Sequence, residues 1–328
     1  MPDASLNEKI LMQNNLNTVM IALGGNALSP KTEAGTIEQQ FAHTKKTLKS
    51  LMHFVKLNYN ICITHGNGPQ VGAELLRNEI ASNSVPPLPL GVLVANTQGA
   101  MGYMIQQSLQ NALYDENSTR EVVSFISQMK VNSNDPDIRK PSKFIGRSYS
   151  KKEAFDYIEK YNWEMKEQEP NIWRRIVASP SPLYIFNGKS IKHLVDFGTI
   201  VIAGGGGGIP AYNLQNGSLQ GLNGVVDKDM TAALLGRIIK ANKLFIITDV
   251  DNIYLNFKTD SQENIYETTA SDINNWLQEG HFWRGSMEPK IRAALYFLEH
   301  HGEEVIITSI NNIENAIKNK SGTRIKKG

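Results

Sequence analysis

The chain has 328 residues, 41% hydrophobic and 20% charged, enough for one large α/β core or two lobes and too apolar for general disorder. Its formal net charge of +2, with basic and acidic residues interspersed, excludes the electrostatic stripe of a dedicated nucleic-acid binder. A lone cysteine, Cys62, excludes an internal disulfide or a thiolate metal cage, and no apolar run is long enough to span a bilayer.

Residues 1–17 are polar, carry Asp3, Glu8 and Lys9, and read as an N-terminal extension that is neither signal peptide nor anchor. A cytoplasmic protein with a buried core thiol is the expectation. The first strand is Thr18 to Leu23, stopping at Gly24-Gly25-Asn26. Ile37, Phe41, Thr44, Leu48, Leu51 and Val55 share one helical face between about Thr36 and Lys56. A strand from Ile61 to Thr64 ends at His65-Gly66-Asn67-Gly68-Pro69, and Val71 to Ile80 reads as a helix. The Pro-rich run Val85–Leu90 is a loop, Asn96 to Tyr114 a long helix and Glu121 to Ile126 a strand.

From Asn132 to about Lys189 the periodicity breaks at Asp135-Pro136-Asp137, Lys140-Pro141 and Ser179-Pro180-Ser181-Pro182. The expectation is a small lid, 132–189, protruding from a main domain spanning 18–328. Alternation then returns, with a strand at Thr199–Ala203 running into Gly204–Gly208 and a helix at Asp227–Ile239. The strand Lys243–Thr248 ends at Asp249-Val250-Asp251. Glu288–His301 is a helix, Glu304–Thr308 a strand and Asn311–Asn319 a closing helix. Strands alternating with helices predict an α/β fold, a three-layer α/β/α sandwich on a mainly parallel sheet.

Four loops follow buried strands and carry Gly, Asn or Asp: Gly24–Asn26, Gly66–Gly68, Gly204–Gly208 and Asp249–Asp251. Ligands of an open parallel sheet bind at the carboxyl ends of its strands. Glycine lets backbone N–H groups approach closely, and helix N-termini beyond such loops add donors, so these edges suit phosphates. An isolated glycine pair reads as a tight turn. Five in a row weaken regular structure by about 1 kcal/mol each, so a packing turn explains them poorly. Neither common nucleotide signature is present. Gly188-Lys189-Ser190 lacks the earlier P-loop glycine, with Leu183 in its place, and the glycine run misses the dinucleotide pattern.

Phosphoryl transfer needs preplaced positive charge on the oxygens in flight. Lys228 lies between Asp227 and Asp229 at a helix start, Lys290 follows the loop Gly285–Pro289 into a helix, and Lys143 sits on the lid. Asp229 is placed to hold ammonium groups, or else is an acidic first-turn residue favoured by the helix dipole.

These pieces resemble carbamate kinase, within the amino-acid kinase fold. The matching motifs include Ala22–Leu28, His65–Gly72, Thr97–Tyr103, Pro141–Gly146, Arg174–Pro180, Gly204–Pro210, Val226–Asp229, Thr248–Tyr254 and Gly285–Lys290. They run in family order from about residue 18 to 325. The resemblance implies reversible transfer between ATP and carbamate, giving ADP and carbamoyl phosphate, often run toward ATP in arginine catabolism. It implies Mg²⁺ carried with ATP or ADP rather than on protein ligands, and a homodimer without nucleic-acid or membrane partners. Lys143, Lys228, Asp229 and Lys290 are the implied catalytic residues. Gly24, Gly25, Asn26, Gly66, Asn67, Gly205, Gly206 and Gly207 are implied at phosphate and carbamate; Thr248, Asp249, Tyr254, Met287 and Pro289 are implied at the nucleoside. Other amino-acid kinases carry a lysine just before the first glycine pair. Here Ile21-Ala22-Leu23 stands there, and Lys143 is expected to substitute from the lid. Gly91 and Asn223 depart from the acidic residues usual in the family. The competing readings are another amino-acid kinase, acting on acetylglutamate or aspartate, and a non-catalytic sensing paralogue.

Overall fold

The computed structural model describes residues 17–29, 33–257, 259–283 and 286–328, without the side chains of Asn26 and Ala27. Residues 1–16 of the expected extension, and Gly285 of the last motif, lie outside the described residues.

The strand Thr18–Leu23 is buried along its whole length, as is Asn60–His65, which is why both read as continuous apolar runs rather than alternating ones. They sit side by side in register from Thr18 opposite Asn60 to Leu23 opposite His65. The eight-stranded sheet has the order Glu267–Thr269, Thr323–Lys326, Glu304–Ser309, Lys243–Thr248, Thr18–Leu23, Asn60–His65, Ile200–Ile202 and Val122–Ser124. The six strands from Glu304–Ser309 onward run parallel, and Thr323–Lys326 with the edge strand Glu267–Thr269 beside it runs the opposite way.

Successive side chains of a strand point to opposite faces, and here the two faces meet separate apolar layers. Met20, Ala22, Leu244 and Ile246 pack with Ala232, Leu235, Ile291 and Phe297 from the helices Lys228–Ile238 and Met287–His300. Val19, Ile21, Leu23 and Ile247 pack with Leu48, Leu51, Met101 and Ile105 from the helices Ile37–Lys56 and Leu90–Asp115. The result is the expected three-layer α/β/α architecture with a mostly parallel sheet. No helix among the described residues is long and apolar enough to cross a membrane. Cys62 is buried in the first layer, and burial pushes its thiol up to about 12.

The long helix starts at Leu90, six residues before the expected Asn96, because Pro89 in extended conformation supplies its N-cap. The expected closing helix from Asn311 to Asn319 is a 3-10 turn, Ile310–Asn312, followed by a short helix, Ile313–Ile317. Gly188 opens a helix to Asp196, with Ile185 and Ile238 so close that a Cβ would have little room. Within 132–189, Lys143–Tyr149, Met165–Glu169 and Ile172–Val177 form a three-stranded antiparallel sheet, and Lys151–Tyr161 is a helix held by a Ser150–Glu153 capping box. Pro182–Ile185, near the end of that span, pairs instead with Gln128–Val131 in a separate four-stranded sheet.

Candidate active site

The strand ends at Leu23, His65, Ile202 and Thr248 all stop at one edge of the sheet. There the chain runs to one side into Asn60–His65 and later to the other into Lys243–Thr248, leaving a crevice. Gly24 N–H donates to Ile247 O at 2.9 Å and Gly66 N–H to Leu23 O at 2.8 Å, so both glycine loops stay hydrogen-bonded to their neighbours past the strand ends. A Cβ on Gly66 would stand 2.8 Å from Gly25 N, which is why the two loops can lie this close.

The crevice opens into a cavity of about 920 Å³. Of the residues expected from sequence, Gly24, Gly25, Gly66, Asn67, Lys143, Gly206, Lys228, Asp229, Thr248, Asp249, Tyr254, Met287, Pro289 and Lys290 line it. Gly205 and Gly207 do not. They are buried in a 3-10 turn, Gly205 against His65 and Gln98, Gly207 against the Val226 carbonyl. Gly206 between them has φ +63, and a Cβ there would meet the Asn67 amide at 2.2 Å. The side chain of Asn26 lies outside the described residues. Gly91 and Asn223 do not line the cavity; Gly91 abuts Ile209 instead.

Lys228 is the first residue of one helix and Lys290 lies in the first turn of another. Cations are disfavoured at helix N-termini, where the peptide dipoles point positive. Both are held by Asp229, 3% exposed: Lys228 Nζ donates to its Oδ1 and Lys290 Nζ to its Oδ2 at 3.2 Å. Burial alone would raise the Asp229 pKa, but Lys228 and then Lys290 outweigh it and hold the carboxyl below its usual range. Asp227 caps the first helix by accepting from Asp229 N and Met230 N, and its other oxygen lies 3.6 Å from Lys143 Nζ. Three ammonium groups, from three distant stretches of chain, thus face one cavity.

The other end of the cavity is aromatic. Tyr254 and Phe257 pack with ring centroids 5.5 Å apart, and Phe282, Trp283 and Met287 complete the wall, a surface suited to a planar base. Thr248 Oγ1 donates to Asp249 Oδ1 at 3.0 Å beside it. No group of three or more His, Cys, Asp or Glu side chains converges as a metal cage among the described residues.

Sequence reading picked out the motifs His65–Gly72, Thr97–Tyr103 and Arg174–Pro180 but gave several of their residues no place in the site. Arg174 lines the cavity next to Lys143, its Nη2 donating to Gly146 O at 2.9 Å. The motif at Thr97-Gln98 acts from behind: Asn67 Nδ2 donates to Thr97 Oγ1 at 2.9 Å, and Gln98 Oε1 accepts from Ser127 N at 2.7 Å. Ser127 Oγ in turn accepts from Gly204 N at 2.9 Å, so one helix fixes two glycine loops. His65 is buried with its Nδ1 3.1 Å from Gly66 O, and burial pulls its pKa down to about 4. It is neutral packing behind the loops and not a lining group.

The family model for the amino acid kinase family matches residues 17–309. The chain belongs to the amino acid kinase family. Within this family, a carbamate kinase of Pyrococcus furiosus is 38% identical over 309 residues, covering 94% of this chain and 98% of that one. A carbamate kinase of Staphylococcus haemolyticus is 39% identical over 315 residues, covering 95% and 100%. Among solved structures, carbamate kinase from Giardia lamblia bound to AMP-PNP superposes with a TM-score of 0.89 at 36% identity, covering 96% of this chain and 99% of that one.

Proposed function

We propose that this amino acid kinase catalyses reversible phosphoryl transfer between ATP and carbamate, giving ADP and carbamoyl phosphate. The observation that carries the chemistry is Asp229, buried and gripping both Lys228 and Lys290 at the floor of a glycine-lined cavity. A transferring PO₃ unit spreads negative charge over its oxygens, and fixed cations stabilise it without reorganising. The similarity to proteins named carbamate kinase supplies the acceptor.

In the forward direction a carbamate oxygen attacks the γ-phosphorus as the bond to ADP breaks; in reverse an ADP oxygen attacks the phosphorus of carbamoyl phosphate and carbamate leaves. Carbamate is already an oxyanion, so no general base is needed. Asp229, with both oxygens committed to lysines, serves as organiser rather than proton acceptor. Lys228 and Lys290 neutralise the migrating group. Lys143 reaches the acceptor and its phosphate from the segment 132–189, which acts as a lid, and takes the place of the cation missing before Gly24. Gly24, Gly25, Asn26, Gly66, Asn67 and Gly206 supply backbone and amide donors. Thr248, Asp249, Tyr254, Met287 and Pro289 hold the nucleoside.

Mg²⁺ would be carried in by the nucleotide. Asp229, with both oxygens on lysines, would stand outside the ion's coordination and leave it to the phosphate oxygens. Asp227, at the cavity wall and 3.6 Å from Lys143 Nζ, would hold the ion's water shell; the ion would supply charge neutralisation to the phosphates. The same reading includes a cytoplasmic homodimer working toward ATP synthesis in arginine catabolism. Exposed Ile37, Tyr103 and Tyr114 on neighbouring helices offer apolar surface for the second copy.

The test is ATP formation from ADP and carbamoyl phosphate in a coupled assay, run beside acetylglutamyl phosphate. Turnover of carbamoyl phosphate alone is expected. Preference for acetylglutamyl phosphate would assign another acceptor, and turnover of neither would leave the chain a sensing paralogue.

A further inference from the structure

Glu79 lies on the helix Gly68–Ala81, which begins immediately after Asn67 of the second glycine loop. Its side chain is 4% exposed. A lone carboxylate in such a place costs several kcal/mol unless donors surround it. All the donors come from the segment that carries Lys143. Tyr149 Oη donates to Glu79 Oε1 at 2.5 Å and Tyr157 Oη to Oε2 at 3.0 Å, while Arg147 Nε stands 3.7 Å from Oε2.

Those donors are themselves locked. The Tyr149 and Tyr157 rings pack 5.1 Å apart, Tyr157 stacks on Trp163 at 5.0 Å, and the Arg175 guanidinium lies 4.2 Å over Trp163. Arg147 covers the Tyr149 ring at 4.1 Å and pairs with Glu153 at 3.1 Å. Burial and the Glu79 carboxylate both push the Tyr149 and Tyr157 phenols up, so they stay protonated and keep donating.

Tyr149 ends the strand that Lys143 begins. This strand lies along the Glu79 helix, with a Cβ on Gly72 reaching to 3.9 Å of Gly146 Cα and Ile145 packed among Val71 and Leu75. Apolar contact resists separation but does little against sliding, because it has no preferred direction. The short bond from Tyr149 at the far end, backed by the 3.0 Å bond from Tyr157 on the helix that follows, does fix the strand along its axis. The strand breaks register between Ile145 and Tyr149, where Gly146 has φ +68. Arg174 Nη2 nevertheless holds Gly146 O at 2.9 Å across that irregularity, so the constraint carries on to Lys143, at most about 20 Å away at roughly 3.3 Å per residue.

We propose that Glu79 is a positioning residue for phosphoryl transfer: it clamps the far end of the Lys143–Tyr149 strand and so sets where the Lys143 ammonium stands over the cavity. The proposal rests on the acceptor-side role given to Lys143 above.

The experiment measures Glu79→Ala and Glu79→Gln, each alone and combined with Lys143→Met, by steady-state kinetics and by hydrogen exchange of residues 143–149. Misplacing a catalytic group by about 1 Å costs up to about 100-fold, so Glu79→Ala is expected to lower kcat/KM for carbamoyl phosphate by about 10- to 100-fold. The KM for ADP should stay within about twofold, and the loss should shrink below about twofold in the Lys143→Met background, because the two residues act through one group. Glu79→Gln keeps an acceptor oxygen of the same reach and should recover activity to within about threefold of the parent. Exchange of the 143–149 amides should quicken in Glu79→Ala. An equal loss in both backgrounds, a parallel rise in the ADP KM, or unchanged exchange overturns the inference. If Glu79→Ala does not fold, the pair Tyr149→Phe with Tyr157→Phe removes the same clamp and is read the same way. Failure of the parent enzyme to turn over carbamoyl phosphate would instead sink the assigned reaction, while exchange still reports on the clamp.

Discussion

Asp229 and Glu79 are both carboxylates withdrawn from water, and each gives its two oxygens to two side chains. At Asp229 the donors are ammonium groups lining a cavity; at Glu79 they are phenols sealed in a seam between a helix and the Lys143 strand. A buried carboxylate with two lysines leaves net positive charge facing a ligand, whereas one with two neutral phenols beside Arg147 only fixes geometry. The difference separates residues that meet the phosphoryl group from residues that aim another one.

The sharpest way to break this comparison is to remove the cations. Lys228→Ala and Lys290→Ala are each expected to lower kcat by about 10²- to 10³-fold, the scale for losing one preorganised charge donor. A loss of about tenfold or less in both would move the charge stabilisation elsewhere. Asp229→Asn is expected to cost less, about 10²-fold in kcat, because both lysines remain but lose the anion that keeps them together. Single-turnover measurements would separate this from slower product release.

Much of this contrast could be read in the sequence on one side only. Lys228 and Lys290 stood out because each follows a glycine-bearing loop into a helix, a context where a surface lysine is unusual. Their partnership across Asp229 was one of two readings of an acidic first-turn residue, and choosing it takes two helices distant in sequence packing on the same face of the sheet. Glu79 gave no signal: a glutamate inside a helix reads as a solvated charge, and only tertiary packing shows two phenol donors and a guanidinium around it. The central strands were legible because parallel strands buried on both faces are continuous apolar runs. The pieces from 252 to 286 were not, because three-residue strands such as Ile253–Leu255 and Glu263–Ile265 are too short to carry a period. The helix Ala270–Gln278 did have a readable mark, Thr269 accepting from Asp272 N three residues on.

A third buried titratable group lies between the two carboxylates in its effect. His65 has its pKa pulled from 6.5 down to about 4 by burial, with Gly66 O opposing and Lys228 adding a smaller push in the same direction. The unfolded chain therefore binds more protons than the folded one between those values, so stability rises with pH across that window. It is complete above about 6.5 and lost as pH falls toward 4, an effect of about 3 kcal/mol in all. His65→Gln should flatten the melting-temperature profile between pH 4 and 6.5, in buffers matched for ionic strength. A slope unchanged by the substitution would place the acid sensitivity at other groups.

The smallest effect distinguishes the clamp itself from its surroundings. Tyr149 and Tyr161 are both tyrosines of the Lys143 segment that hydrogen-bond to the helix side: Tyr149 to buried Glu79, and Tyr161 Oη to Ser82 Oγ at 2.7 Å on a partly exposed rim. Removing the Tyr149 hydroxyl strands a charged acceptor away from water, so Tyr149→Phe should cost about 1–3 kcal/mol. Water can take over the Ser82 hydroxyl, so Tyr161→Phe should cost about 0.5–1 kcal/mol. At about 2 °C per kcal/mol for a chain of this size, thermal unfolding resolves the two. The kinetic consequence should split more widely than the stability, because only Tyr149 ends the strand that carries Lys143. Equal activity losses from both substitutions would mean that the whole seam, rather than the Glu79 contact, holds the strand in place.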